Sequence, residues 1–143
     1  MITLRKITAS DASLLIRWRN ADVRFFGDQT LLTPERHDRW YYGTYLNDPR
    51  DHMYLVLHDD IPVGTIGVKL GDISAEIVRV LLGEKSFACA GVMSTALELI
   101  TNAYRGPYWL SVKRDNIPAI RLYRKNGFVT YHEDEELFYM RRS

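Results

Sequence analysis

Apolar and polar residues alternate from Met1 to Thr8, the pattern of a half-buried strand. The interval then widens. Leu14, Leu15 and Trp18 recur along ASLLIRWRN on one helix face, after Ser10-Asp11 as a start signal. Thr33-Pro34 opens a second helix, PERHDRWYYGTYL, with a capping threonine before proline at the first helical position. Period two returns in MYLVLHDDIPVGTIGVKL, two strands about a turn at Asp59-Asp60. SAEIVRVLLG is apolar at nearly every alternate position, which predicts a central strand covered on both faces. AGVMSTALELITNAY predicts a helix with Val92, Ala96, Leu99 and Ile100 inward. PYWLSV is a strand, a short helix follows, and FVTYH and ELFYMRR close as strands. The order βααβββαβαββ predicts one domain over 1–143, a mixed sheet with helices on its faces, of α/β or α+β class.

Composition narrows the classes. The chain has 143 residues, 46% hydrophobic and 26% charged, in the range of a globular domain. A net charge of +1 gives no field that would draw nucleic acid or a membrane surface. The single cysteine, Cys89, excludes an intramolecular disulfide and a CxxC site. Its expected state is a small buried thiol. His37, His52, His58 and His132 show no ligand spacing, so no metal is expected. No apolar run approaches the ~20 residues of a membrane span, and MITLRKIT lacks the apolar core of a signal peptide. The expectation is a cytoplasmic protein, monomer or homodimer.

The segment RDNIPAIRLYRKNGF, 114–128, carries the candidate chemistry. Asp115 or Asn116 can cap a helix whose first turn holds Pro118, and Gly127 suits its left-handed end. Ala119, Leu122 and Tyr123 share one side. Tyr123 is either a core aromatic with its hydroxyl on a backbone carbonyl, or a hydroxyl aimed at a ligand.

The spacing Asn116, Ala119, Leu122-Tyr123, Gly127-Phe128 resembles the N-x-x-A-x-x-L-Y-x-x-x-G-F pattern of the GNAT superfamily, the acyl-CoA-dependent N-acetyltransferases. The element order is similar to that fold over the whole chain, which implies a mostly antiparallel central sheet with helices on both faces. IRWRN, TPERHDRWY, PVGTIGV and AEI resemble the branch of ribosomal-protein and sugar-amine acetyltransferases. The ending GFVTYHEDEELFYM resembles enzymes that acetylate a 4-amino sugar on a nucleotide, as in pseudaminic acid synthesis. One departure stands out. The family's cofactor loop reads [RQ]-x-x-G-x-[GA], and here Ala88 and Met93 flank a retained Gly91.

The resemblance implies acetyl-CoA as co-substrate and a primary amine as acceptor. Tyr123 would protonate the leaving thiolate, because a phenol of pKa near ~10 is protonated at neutral pH. Asn116 and Ala119 would border the pantetheine arm. The backbone of Val80, Leu81 and Leu82 would hold it too and supply an N–H to the thioester oxygen. The loop and helix start at Ala90, Gly91, Val92 and Met93 would bind the pyrophosphate through N–H groups. Met93 either crowds that site or points into the core. Glu76 would take the amine's proton through a water, or is a strand-edge carboxylate in an ion pair. His37, Arg17, Arg19, Asn20 and Trp40 lie on the presumed acceptor side. Guanidinium forks with aromatics suit a phosphate-bearing acceptor, and equally form a solvated helix face. Two alternatives stand beside an amino-sugar enzyme: an N-terminal or ribosomal-protein acetyltransferase, and a degenerate domain that binds acyl-CoA without catalysis.

Overall fold

The computed structural model describes residues 1–143 except Cys89, so the expected buried thiol lies outside the described residues. Strands β1 (Ile2–Lys6), β2 (Asp51–His58), β3 (Ile61–Leu70), β4 (Ala75–Leu82), β5 (Tyr108–Lys113), β6 (Val129–Glu133) and β7 (Leu137–Arg142) form one sheet. Their spatial order is β1-β2-β3-β4-β5-β7-β6. Helices α1 (Ala12–Ala21), α2 (Pro34–Trp40), α3 (Val92–Ala103) and α4 (Ile117–Lys125) complete the expected βααβββαβαββ order. Every strand pair is antiparallel except β4–β5. None of the described helices is long and apolar enough to cross a membrane.

The local signals act as their chemistry requires. Thr33 Oγ1 accepts the Arg36 N–H at 3.2 Å and starts α2. Asp59 and Asp60 take φ of 47° and 68°, the left-handed pair of a two-residue hairpin turn between β2 and β3. The helix expected over 34–46 is divided: α2 ends at Trp40 and continues as one π-helical turn, Tyr41–Tyr45.

Two apolar cores cover the two faces of the sheet. Val92, Ala96, Leu97 and Ile100 of α3 and Ile120 and Tyr123 of α4 join the inward rows of β3, β4, β5 and β7. Leu15 and Trp18 of α1, with Tyr41 and Tyr45 after α2, cover Met53 and Leu55 of β2. One inward assignment needs correction: Leu97 is buried, whereas Leu99 is half-buried beside Ile2, Leu4 and Tyr54 at the flank of α3. The inward stripe of α3 runs 92, 96, 97, 100, and Leu99 falls at its edge.

A second correction concerns β4. It is central, as expected, but Val78–Leu82 are only half-buried, while β3 is buried throughout Val63–Val68. The reason is its neighbour. β4 and β5 pair only through Ala75 with Tyr108 and Glu76 with Trp109. Beyond them β5 turns to β7, with which it pairs from Tyr108 to Lys113.

Candidate active site

The splitting of β4 from β5 leaves a gap at the centre of the sheet. Along Ile77–Leu82 the β5-facing edge of β4 has no strand partner among the described residues, while the other edge stays paired to β3. A row of unpaired N–H and C=O groups inside a sheet needs a partner, and an extended amide-bearing ligand can serve as one. α3 begins after β4 and α4 after β5, so both helix starts follow the diverging strand ends.

α3 opens at Gly91, whose φ of +71° suits glycine. No side chain caps this helix, and apart from its chain neighbours nothing among the described residues lies within 4 Å of where a Cβ on Gly91 would sit. The first-turn N–H groups of a twelve-residue helix are thus uncapped by side chains, an arrangement that favours an anion. Met93 packs partly buried against the α3 core. Val92 beside it is buried in the same core.

α4 starts at Asn116, whose Oδ1 accepts the Ala119 N–H at 3.4 Å. Its amide NH2 makes no hydrogen bond among the described residues, so capping leaves those donors free. Asn126 Nδ2 donates to Ser94 Oγ at 3.2 Å and ties the end of α4 to the start of α3. The Tyr123 ring is buried, edge-on to Phe128 at 6.0 Å. Its hydroxyl makes no hydrogen bond among the described residues, yet is not one of the fully enclosed polar atoms left without a partner. No carbonyl among the described residues accepts from it, as one would in a plain core tyrosine. Burial holds the phenol pKa well above its usual value, so the hydroxyl keeps its proton at neutral pH.

The opposite face of β4 looks towards α1 and α2. Asp51, Lys69, Glu76 and Trp109 stand in one cross-strand row over β2, β3, β4 and β5. Glu76 is half-buried; desolvation raises its pKa, with Lys69 and then Arg79 opposing. Between Val78 and Leu81, β4 carries one more residue than β3 opposite, a bulge. Arg79 sits in it with φ +53°. Its guanidinium grips the Asp51 carboxylate at 2.7 and 2.9 Å and lies 5.0 Å over the Trp40 ring. His37 is buried 5.6 Å from Trp40 and nearly parallel to Tyr41, and its Nε2 has no partner among the described residues. Burial lowers its pKa, so the ring is neutral at neutral pH.

The remaining acceptor-side candidates are occupied locally. Arg17 pairs with Glu84 at 3.1 Å, a carboxylate that also accepts from Trp18 Nε1 at 2.5 Å. Arg19 stacks on Phe26 at 4.2 Å and donates to the Asp28 carbonyl, with one guanidinium nitrogen enclosed and unpartnered among the described residues. Asn20 clamps Leu32 in both directions, at 2.8 and 3.0 Å. The structure therefore groups Trp40, His37 and Glu76 around Arg79, sets Arg19 and Asn20 to holding the loop after α1, and ties Arg17 to Glu84 beyond β4.

Residues 15–128 match the Acetyltransferase (GNAT) family. The chain belongs to that family. Acetyltransferase PseH of Campylobacter jejuni is 25% identical over 141 residues, covering 94% of this chain and 87% of its own. A solved structure of the N-acetyltransferase PseH from that organism, in complex with acetyl coenzyme A, superposes with a TM-score of 0.74 at 21% identity over 99% of this chain and 98% of the other. An acetyltransferase from Thermus thermophilus gives 0.82 at 25% identity, covering 99% and 96%. AAC(6')-Ib in complex with ribostamycin and coenzyme A gives 0.82 at 22%, covering 99% and 93%. The protein is thus a GNAT acetyltransferase, as its α4 motif implied.

What the sequence pattern did not reveal in this acetyltransferase is the Asp51–Arg79 pair. Its one signal was a lone arginine inside the apolar run IVRVLL. Nothing near Asp51, 28 residues earlier, marks it as the partner.

Proposed function

We propose that this acetyltransferase uses acetyl-CoA and transfers the acetyl group directly to a primary amine in a ternary complex. The unpaired edge of β4, together with a buried Tyr123 whose hydroxyl makes no hydrogen bond among the described residues, carries the reading. The residues fit the co-substrate: the Val80–Leu82 backbone and the Asn116 NH2 suit the amides of an extended pantetheine arm, with Ala119 beside it. The N–H groups of Gly91, Val92 and Met93, uncapped by side chains, suit its pyrophosphate, whereas the Ala90 N–H donates to the Phe87 carbonyl at 3.3 Å. When bound, acetyl-CoA supplies an activated thioester carbonyl. A β4 N–H stabilises negative charge on that oxygen. Glu76, through a water, accepts a proton from the amine as the C–N bond forms. Tyr123 gives its proton to the sulfur as the C–S bond breaks.

For the acceptor we favour an amino group on a nucleotide-linked sugar. The C-terminal segment's resemblance supports this, as does the PseH relative aligned along 94% of the chain. The packing of Met93 against the α3 core weighs against a degenerate domain, while the Ala88 departure still stands for it. The test is calorimetric titration with acetyl-CoA and with CoA, followed by a screen of amines that includes a nucleotide-linked 4-amino sugar, an aminoglycoside and a peptide N-terminus. Micromolar binding and turnover of the first acceptor are expected. No binding at millimolar acetyl-CoA would overturn the activity, and turnover of the peptide alone would overturn the acceptor.

A further inference from the structure

We infer that the Asp51–Arg79 ion pair is a positioning device for acyl transfer, fixing the β4 bulge that aims the strand's free edge and linking it to Trp40 on α2. The inference rests on the acetyl-CoA reading above. The bulge decides how the second half of β4 is presented. Ala75 and Ile77 face the α3 core, and an unbroken strand would put Leu81 there also. The extra residue inverts the alternation: Val80 and Leu82 face the α3 core, and Leu81 faces the α1–α2 core. The same inversion resets which residues turn their N–H groups towards the gap. A misplaced bulge would therefore misdirect the donors meant for the thioester oxygen.

Several contacts hold the bulge in place. Arg79 has a left-handed backbone, which a residue with a Cβ keeps only when its surroundings require it. Its carbonyl accepts from Thr65 Oγ1 at 2.7 Å, and the threonine is buried. Gly64 lets β3 approach closely, since a Cβ there would run into the Leu81 carbonyl oxygen. The guanidinium fork on Asp51 then fixes the side chain, and the Asp51 carboxylate is only 4% exposed. A buried ion pair adds little net stability over an apolar replacement. Its presence at a bulge beside an open strand edge points to geometry.

The experiment is isotope-edited infrared spectroscopy of acetyl-CoA labelled with 13C at the thioester carbonyl, bound to the wild type and to Asp51→Asn, Arg79→Gly and Arg79→Lys. Calorimetric CoA affinity and melting temperature are measured in parallel. Glycine accepts the left-handed backbone, so Arg79→Gly removes the fork without forcing the strand out of shape, and it decides the matter if Asp51→Asn fails to fold. The expected result is a bound carbonyl band shifted down in the wild type. It should return towards the free frequency in Asp51→Asn and Arg79→Gly, with Arg79→Lys between and CoA affinity nearly unchanged. Variants that melt lower but keep the wild-type band would reduce the pair to a structural tie. Absence of acetyl-CoA binding in the wild type would sink the activity itself, a result distinct from normal binding with an unmoved band.

Discussion

β3 and β4 are neighbouring strands of similar apolarity with opposite roles. β3 has a partner on both edges and is buried from Val63 to Val68. β4 has the same partner on one edge but loses β5 after Glu76, and its second half is only half-buried. Apolar side chains report what covers the faces of a strand and say nothing about its edges. The sharpest way to break this comparison is truncation. Ile66→Ala, at a fully buried site, is expected to lower stability by about 2–5 kcal/mol. Val80→Ala should cost clearly less, because its site is partly open already. Equal losses in chemical denaturation would mean that β4 is as closed as β3.

Tyr123→Phe tests the open side directly. Loss of a positioned proton donor is expected to lower kcat roughly 100-fold, about 2.7 kcal/mol on the barrier. CoA affinity should hardly change. Stability should hold or rise slightly, since the hydroxyl has no hydrogen bond among the described residues to lose. A wild-type rate would return Tyr123 to the core it shares with Phe128.

Glu76 sits where the two strands still pair, and its effect shows as a pH dependence. As a base it works ionised, so kcat/KM should rise with pH through a pKa above the ordinary ~4.3, the direction burial gives it. In Glu76→Gln that limb should vanish and leave a flat, lower profile. The linkage has a definite sign: a carboxyl with a raised folded pKa contributes stability below its unfolded pKa and loses it as pH rises through the folded one. The Gln variant should therefore lose less stability than wild type as pH rises above ~4.3. An acid limb unchanged in the variant would assign the base to another group.

Element starts and the α4 motif were legible because they are local. Thr33, Asp59-Asp60, Asn116 and Gly127 act through their own neighbours' backbone, and a pattern of adjacent residues carries that information. The strand gap was not legible, because backbone edges leave no mark on side-chain periodicity. Nor was the Asp51–Arg79 pair, which depends on register across β3. Arg17, Arg19 and Asn20 show the same limit from another side. Their polarity fitted a ligand face and a solvated helix face equally, while protein partners occupy them: Glu84 for Arg17, Asp28 and Phe26 for Arg19, Leu32 for Asn20.

The smallest expected effect separates two uses of one side chain. Asn116 caps α4 with its oxygen and leaves its NH2 free, so stability and ligand binding depend on different atoms. Asn116→Ser keeps an oxygen that can cap, and should change stability by only a few tenths of a kcal/mol. It removes both amide donors, so acetyl-CoA should bind about 3- to 10-fold more weakly, the loss of roughly one hydrogen bond. Asn116→Ala removes cap and donors together, and should add about 1 kcal/mol of destabilisation to the same loss of affinity. The pair therefore predicts equal calorimetric affinities at unequal melting temperatures. If affinity instead tracked melting temperature, the asparagine would act on the co-substrate only by holding the start of α4, and the α4 side of the gap would bind through backbone and shape alone.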